Sequence, residues 1–277
     1  MLAPQAIDAQ GHRTMTNAES IGIRCEAVGS VYQTRSGAIR ALEDVSFSAH
    51  GHELVSIVGP SGCGKSTLLR IIAGLQQPTM GRVLYEDGLG KKGRPRSGLV
   101  FQEYGTFPWM SVLDNIAFGL EMQGVNREER RARAMDFAER LGLGSFVHHY
   151  PRDLSVGMRQ RVDIGRAFVS EASVLLMDEP FGSLDAQTRW VLQAELLRIW
   201  QASRKLVVFI THDIEEAVLL ADRVLVMSGR PGMIREEIPV PIARPRDIPR
   251  DQPCVRDITW RIWRLLEKEV RIGLSIR

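Results

Sequence analysis

The segment from Gly59 to Ser66 constrains the fold of this 277-residue chain more than any other part of the sequence. It reads Gly-Pro-Ser-Gly-Cys-Gly-Lys-Ser and fits the pattern G-x-x-x-x-G-K-[ST], in which backbone N–H groups surround phosphate oxygens. The apolar run Leu54–Val58 predicts a buried parallel strand before it, and residues 66–73 predict a helix after it. This order predicts a phosphate-binding loop at residues 59–67, which we call the phosphate loop.

Each part of the phosphate loop has a predicted role in binding ATP. Its glycines let the backbone curl around the β- and γ-phosphates, and the next helix directs its positive N-terminus at them. Lys65 neutralises charge on the phosphate oxygens, the Ser66 hydroxyl can hold Mg²⁺, and Thr67 lies beside the α-phosphate. The predicted ATP-binding residues here are Gly59, Pro60, Ser61, Gly62, Cys63, Gly64, Lys65, Ser66 and Thr67.

The three cysteines, Cys25, Cys63 and Cys254, have a spacing typical of free thiols in a reducing compartment. Cys63 lies inside the phosphate loop and leaves two interpretations open. It is either a small residue that fits the loop, or a thiol that the N-terminus of the next helix makes reactive. In the second case ATP should slow its alkylation.

Two acidic residues follow the apolar run at residues 174–177. Ligands of parallel sheets gather at the carboxyl ends of the strands, which is where Asp178 and Glu179 stand. Asp178 is predicted to hold Mg²⁺, and Glu179 to polarise the attacking water as general base. The alternative is a solvated turn.

The rest of the chain indicates an α/β protein that does not span a membrane by itself. Strands and helices alternate after residue 174, which predicts a parallel sheet covered by helices. The net charge of +3 is dispersed, so no nucleic-acid partner is expected. No apolar run approaches the ~18 residues that span a bilayer, so a membrane link is expected to come through a partner.

The two ends of the chain differ from its middle. Residues 1–20 are small and polar and are predicted to be a flexible N-terminus. Residues 239–253 are rich in proline and predict a linker. A last helix follows with one apolar stripe, for which packing on the core and contact with a partner or membrane surface are both open. The stripe residues are Val255, Ile258, Ile262, Leu265 and Ile272.

Further motifs in fixed order resemble the ATP-binding subunit of ABC transporters over about residues 21–240. Tyr32 stands where that family places an aromatic ring on adenine. After the phosphate loop come Gln102 (Q-loop), residues 154–160 with the sequence Leu-Ser-Val-Gly-Met-Arg-Gln (signature motif), Asp178-Glu179 (end of Walker B), residues 183–185 with Asp185 (D-loop), and residues 211–213 with His212 (switch histidine).

This resemblance implies a fold. It implies an α/β P-loop NTPase core with an N-terminal antiparallel β subdomain and an inserted α-helical subdomain at about residues 103–168. The ATPase domain would cover residues 21–240. Residues 241–277 would form a C-terminal linker and helix.

The resemblance also implies an ATP-hydrolysing, head-to-tail dimer that needs Mg²⁺. Each ATP would lie between one phosphate loop and Ser155 and Gly157 of the second copy, with Asp185 linking the two sites. The implied catalytic residues are Glu179, His212, Gln102 and Lys65, and the implied metal ligands are Ser66, Gln102 and Asp178. Val156 replaces the usual glycine of the signature motif, which puts nucleotide affinity and dimer closure in question.

Residues 107–121 and 228–234 are similar to those of ATPases of nitrate, taurine and alkanesulfonate importers. This implies permease subunits as partners, a periplasmic substrate-binding protein as an indirect partner, and a peripheral place on the cytoplasmic face of the inner membrane. Phe107 and Trp109 are then expected to form a socket for the permease. The alternative is that both rings belong to the core.

Three other function classes share part of these motifs. A non-transport ABC ATPase acting on nucleic acid or ribosomes usually has two cassettes or a long coiled-coil insert. A small P-loop kinase has no use for residues 154–160. A regulator that does not hydrolyse ATP would not need Glu179 and His212.

Overall fold

The structure is a computed structural model that describes residues 21–35, 37–87, 97–101, 105–203, 205–244, 246 and 252–275, with side chains of the last helix up to Glu269. Residues 1–20 and Gln102, for which the sequence makes predictions, lie outside the described residues, as does part of the predicted linker. In the described part of the chain, none of the helices is both long and apolar enough to cross a membrane.

The described residues contain nine strands and seven α-helices. The strands are β1 (Ile21–Thr34), β2 (Gly37–His50), β3 (Leu54–Val58), β4 (Met80–Asp87), β5 (Ser97–Val100), β6 (Val174–Asp178), β7 (Leu206–Thr211), β8 (Arg223–Met227) and β9 (Ile234–Pro239). The helices are α1 (Lys65–Ala73), α2 (Val112–Met122), α3 (Arg127–Arg140), α4 (Val156–Val169), α5 (Ala186–Ser203), α6 (Ile214–Leu220) and α7 (Pro253–Ser275).

The central sheet has the strand order β5-β6-β7-β3-β8-β9. Its first five strands are parallel, and β9 runs antiparallel to β8. The predicted parallel sheet is therefore present, with an antiparallel edge strand that the sequence did not predict. Strands β3, β6 and β7 are buried along their whole length, as their continuous apolar sequences require.

A second sheet has the order β2-β1-β4, and both of its pairs are antiparallel. It confirms the N-terminal antiparallel β subdomain that the resemblance implies. One hydrophobic cluster joins this sheet and α1 to one face of the central sheet, and a second cluster joins the remaining helices to the other face. The phosphate loop leaves β3 between these two layers.

The inserted helical region consists mainly of α2, α3 and α4, each with an N-cap whose side chain accepts a backbone N–H bond. The caps are Ser111, Asn126 and Ser155, which accept from Asp114, Glu129 and Met158. Helix α4 approaches α2 closely at Gly165, where a Cβ would lie 2.7 Å from Leu141 and 3.4 Å from Ile116. Helices α2, α3 and α4 also pack on one another, and α4 packs against β5.

The last helix packs its apolar stripe on the core, which was one of the two open interpretations. Val255 and Ile262 are buried, while Ile258 and Leu265 pack against the larger cluster. On its outer side Trp260 and Trp263 are exposed, and their ring centroids are 5.4 Å apart.

Candidate functional site

The phosphate loop joins the carboxyl end of β3 to the start of α1. Gly62 and Gly64 have φ values of 74° and 108°, in the left-handed region that favours glycine. A Cβ at Gly64 would also lie 2.8 Å from the carbonyl oxygen of Ala41. Both positions therefore need glycine. Gly62 needs it for its backbone angle, and Gly64 needs it for its backbone angle and for the close approach of β2.

Lys65 is almost completely buried, at 6% exposure, inside the phosphate loop. Its ammonium group donates to the carbonyl oxygens of Gly59 at 2.9 Å and Pro60 at 3.2 Å. The positive charge therefore lies within the ring of backbone that the loop forms. An anion entering the loop would meet this charge and the N-terminus of α1 together.

The structure brings Ser66 and Asp178 together, although 112 positions separate them in the sequence. The Ser66 hydroxyl donates to Asp178 Oδ1 at 3.1 Å. Burial raises the pKa of the Asp178 carboxyl, the Ser66 hydrogen bond lowers it, and the charge of Glu179 raises it. A hydroxyl and a buried carboxylate at this spacing are hard oxygen donors that suit Mg²⁺, and a cation there would offset the cost of burying the charge.

Glu179 and His212 form a pair at the ends of adjacent strands. His212 Nδ1 lies 2.8 Å from Glu179 Oε2. Glu179 has a φ of 45°, unusual for a residue other than glycine, and its N–H donates to the carbonyl of Ile210 at 2.9 Å. Since β6 and β7 are neighbours, and β7 also pairs with β3, both side chains lie at the sheet edge where the phosphate loop begins.

Tyr32 lies on β1 and reaches the first turns of α1. Its hydroxyl is 3.1 Å from the Thr67 hydroxyl and donates to the Gln76 side chain at 2.9 Å. The ring is partly exposed, at 37%. The candidate adenine-stacking residue and the last residue of the phosphate loop are therefore adjacent.

Ser155 and Gly157 stand at the N-terminus of α4, with Ser155 exposed and acting as the N-cap. Gly157 faces Thr188 of α5, and a Cβ there would lie 2.9 Å from the Thr188 methyl group. Val156 is exposed at the first helical position. The side chain that departs from the usual signature motif therefore points away from the chain's own core.

Asp185 is the first member of the turn that starts α5. Its carboxylate accepts from the N–H groups of Thr188 at 3.0 Å and Gln187 at 3.1 Å. The hydrogen bonds from Thr188 hold the pKa of Asp185 below its usual range. The residue is exposed, so its outer side is open to a partner.

A buried pair on α4 holds the segment that follows Gln102. Asp163 accepts from the N–H of Gly105 at 3.0 Å, and Arg166 donates to the carbonyl of Gly105 at 2.6 Å. The two side chains are also 2.9 Å apart, and burial raises the pKa of Asp163 to about 6. Neither residue was predicted from the sequence, although an acid beside the apolar stripe of α4 indicates that a polar partner is needed.

Phe107 and Trp109 follow this clamped segment on the surface. The Phe107 ring packs on Phe118 and Trp109 at centroid distances of 4.6 and 5.5 Å, and Arg166 lies 5.1 Å from its centroid. Trp109 is 71% exposed, so its assignment to the core is wrong. An exposed tryptophan on a rigid aromatic base is typical of a protein contact.

Cys63 is buried within the phosphate loop, at 1% exposure. Burial raises the pKa of its thiol, and the positive charge of Lys65 opposes this rise. A buried, protonated thiol is a poor nucleophile. These observations favour the interpretation of Cys63 as a small residue that fits the loop.

Alkylation of the folded chain should therefore discriminate between its cysteines. With N-ethylmaleimide at pH 7.5, Cys254, which is exposed, is expected to react at least about tenfold faster than Cys63 or Cys25. Peptide mass spectrometry over a time course measures the three rates, and the urea-unfolded chain, in which the rates should converge, is the control. Equal labelling of Cys63 and Cys254 in the folded chain would contradict the buried thiol.

Comparison with known proteins is consistent with this geometry. The sequence profile of the family described as "ABC transporter" matches residues 42–182. The chain is 50% identical over 207 residues to the taurine import ATP-binding protein TauB of Burkholderia thailandensis, which covers 75% of this chain and 80% of that protein. It is 42% identical over 234 residues to the nitrate import ATP-binding protein NrtD of Synechocystis sp., covering 84% and 86%. Among solved structures it is similar, with a TM-score of 0.68 and 31% identity, to the dimeric post-hydrolysis state of the ATP-binding cassette MJ0796 bound to ADP and Pi, covering 80% of this chain and 100% of that one.

Proposed function

Because the chain belongs to the ABC transporter family and is an ATP-hydrolysing subunit of it, we propose that it powers the import of nitrate, taurine or an alkanesulfonate-like small molecule. The observation that carries the mechanism is the assembly at one sheet edge of the phosphate loop, the Ser66–Asp178 pair and the Glu179–His212 pair. The relatives that are import subunits favour this function over a non-transport ATPase.

ATP binding is proposed to use the residues that the structure gathers around the phosphate loop. The backbone N–H groups of residues 59–67 would surround the β- and γ-phosphates, and Lys65 would exchange its carbonyl partners for phosphate oxygens. Tyr32 would place its ring against adenine, supported by its hydrogen bonds to Thr67 and Gln76. The Tyr32 ring is partly exposed, which leaves surface on which adenine could stack.

Ser66 and Asp178 are proposed to hold Mg²⁺, together with Gln102, which lies outside the described residues. The ion would neutralise charge on the β- and γ-phosphates. The Ser66 hydroxyl and the Asp178 carboxylate, which are 3.1 Å apart, would both supply oxygen ligands to the ion. Asp178 would then remain ionised despite its burial, because a cation would compensate its charge.

Glu179 is proposed to accept the proton of the attacking water, and His212 to orient the Glu179 carboxylate and contact the γ-phosphate. Their 2.8 Å contact fixes the carboxylate before substrate arrives. The unusual φ of Glu179 and its N–H bond to Ile210 fix the backbone from which the side chain projects. The base is thus held by both its backbone and its side chain.

The functional form is proposed to be a head-to-tail dimer. Ser155, with its exposed hydroxyl, stands at an N-terminus of α4 whose dipole favours an anion. A γ-phosphate held by one chain would complete its contacts with Ser155 and the Gly157 N–H of the second chain. Asp185, exposed at the start of α5, would connect the two sites.

The permease is proposed to dock on Trp109 and its aromatic base. The clamp of Asp163 and Arg166 on Gly105 joins this surface to α4, the same helix that presents Ser155. A displacement of α4 on dimer closure would therefore move the docking surface with it. We therefore propose that the chain acts at the cytoplasmic face of the inner membrane. A periplasmic substrate-binding protein would act on the opposite side of the permease.

Uptake in a strain of the source organism that lacks the gene tests this function. The complemented strain is expected to accumulate labelled taurine, nitrate or an alkanesulfonate, and the strain without the gene is expected to lose uptake of one of them. Trp109→Ala should lower that uptake about fivefold or more, while the ATPase rate of the purified chain stays within about twofold.

Trp260→Ala is the matched control, because Trp260 is an exposed tryptophan on α7 and is not proposed to touch the permease. Its uptake should equal that of the wild type. If all three substrates enter the deletion strain at the wild-type rate, the proposed substrate class is wrong. If Trp109→Ala and Trp260→Ala behave alike, the proposed docking surface is wrong.

A further inference from the structure

The loop between β8 and β9, residues 228–233, is built against the outer side of the phosphate loop. Arg230 donates to the carbonyl oxygen of Gly62 from both Nη2, at 3.0 Å, and Nε, at 3.3 Å. Gly232 approaches the carbonyl of Cys63 so closely that a Cβ would lie 2.1 Å from that oxygen. The second loop thus holds the Gly62 carbonyl by hydrogen bonds and packs closely against the Cys63 carbonyl.

This second loop is itself fixed internally. Ser228 is buried, and its hydroxyl lies 2.9 Å from the carbonyl oxygens of both Gly229 and Pro231 while accepting the N–H of Met233 at 2.9 Å. The N–H of Gly232 donates to Ala41 of β2 at 2.9 Å. The backbone that carries Arg230 therefore has a defined position relative to the phosphate loop.

The last helix contributes one further contact. Glu269 of α7 accepts the N–H of Gly229 at 2.9 Å and the Nε–H of Arg235 at 3.1 Å. The Glu269 side chain is only 14% exposed. A chain of hydrogen bonds therefore runs from α7 through Gly229 and Arg230 to Gly62.

The peptide bond that Arg230 contacts has a particular orientation. In a trans peptide the C=O and N–H groups point in opposite directions, so Arg230 on the Gly62 carbonyl leaves the Cys63 N–H on the opposite side, where it donates to the carbonyl oxygen of Pro60 at 3.3 Å. That oxygen also accepts from the Lys65 ammonium group, which marks this as the inner side of the loop. A guanidinium group on the carbonyl also polarises the peptide and makes its N–H a stronger donor. The inner side is where the phosphates are proposed to bind.

We propose that Arg230 is a positioning residue for nucleotide binding, and that Glu269 supports it from the last helix. Arg230 fixes the Gly62–Cys63 peptide with its N–H group on that inner side, where a phosphate oxygen would replace the Pro60 carbonyl as its partner. Glu269 fixes the loop that carries Arg230, so α7 contributes to ATP affinity without touching ATP. This inference rests on the proposed role of the phosphate loop.

The affinity of the full-length chain for ATP tests the inference. Arg230→Ala is expected to raise the Kd for ATP, measured by competition with a fluorescent ATP analogue, about fivefold or more. In the steady state KM should rise by the same factor while kcat stays within about twofold. Arg230→Lys keeps the positive charge and a donor group but loses the planar fork, so its Kd should lie between those of the wild type and Arg230→Ala. Arg230 is exposed, so the thermal unfolding midpoint should not change.

Arg261→Ala is the matched control, since Arg261 is an exposed arginine of α7 that pairs with Glu236 and not with the loop. Glu269→Ala should raise the Kd about threefold and add nothing to Arg230→Ala, because both act through the same loop. An increase below fivefold for Arg230→Ala, or an equal increase for Arg261→Ala, overturns the role of Arg230. Additive effects of Arg230→Ala and Glu269→Ala overturn the role of α7.

Lys65→Ala separates this inference from the one on which it rests. If Lys65→Ala binds ATP as tightly as the wild type, the proposed role of the phosphate loop fails. If Lys65→Ala loses ATP binding while Arg230→Ala retains it, the phosphate loop keeps its role and only the inference about Arg230 fails.

Discussion

Replacing Glu179 by glutamine is expected to slow ATP hydrolysis about 10²-fold or more, without loss of ATP binding. The amide keeps the size of the side chain and a hydrogen bond to His212, but it cannot accept the proton of the attacking water. The backbone of Glu179 is held by the Ile210 carbonyl, so the substitution should not move the strand end. Since ATP then persists, the variant should accumulate as an ATP-bound dimer.

Phosphate release and size-exclusion chromatography with ATP and Mg²⁺ measure the two parts of this prediction. Glu139→Gln is the control, because Glu139 is an exposed acid of α3 far along the chain from the site. It should hydrolyse ATP at the wild-type rate and show no trapped dimer. Normal turnover by Glu179→Gln would show that another group is the base.

Mixing two inactive variants is expected to restore hydrolysis, which tests the head-to-tail arrangement directly. Lys65→Ala removes the phosphate-loop charge, and Ser155→Arg fills the position opposite the γ-phosphate. Each variant alone should lose about 10²-fold in rate. A mixed dimer has one site with both defects and one site with neither, so an equimolar mixture should recover about a quarter of the wild-type rate.

The pairing of Lys65→Ala with Glu179→Gln is the control for this mixture. Both substitutions lie on the same side of the proposed shared site, so each site of a mixed dimer carries one defect. That mixture should stay inactive. Recovery in the control mixture as well, or in neither mixture, would contradict sites shared between phosphate loop and signature motif.

The parts of the fold that depend on continuous apolar sequence were predictable. Leu54–Val58 forms a fully buried strand, and the apolar run at residues 174–177 lies within the buried strand β6. Strand β9 was missed because three of its six residues are charged and it ends in a proline. Its strand conformation comes from pairing with β8 and not from its own composition.

In the candidate site, too, some features could be predicted from the sequence and others could not. The motifs predicted that Asp178, Glu179 and His212 belong to the site, and the apolar run at residues 174–177 placed the two acids at the end of a strand. The contact between His212 and Glu179 depends on the order of strands, which a single sequence does not give. Arg230 escaped prediction because its partner at Gly62 is a backbone carbonyl, and backbone partners leave no trace in residue type. The role of Asp163 escaped for the same reason at Gly105, although its ion pair with Arg166 involves two side chains.

Strand β9 also determines how this protein can associate with other copies. An edge strand with free backbone groups invites pairing with another chain. On β9, Arg235, Glu236 and Glu237 form ion pairs with Glu269, Arg261 and Arg223, and Pro239 ends the strand without a backbone donor. The opposite edge strand, β5, has only four residues. Growth of the central sheet from one molecule into the next is therefore opposed at both edges, which guards against aggregation when subunits meet at high local concentration.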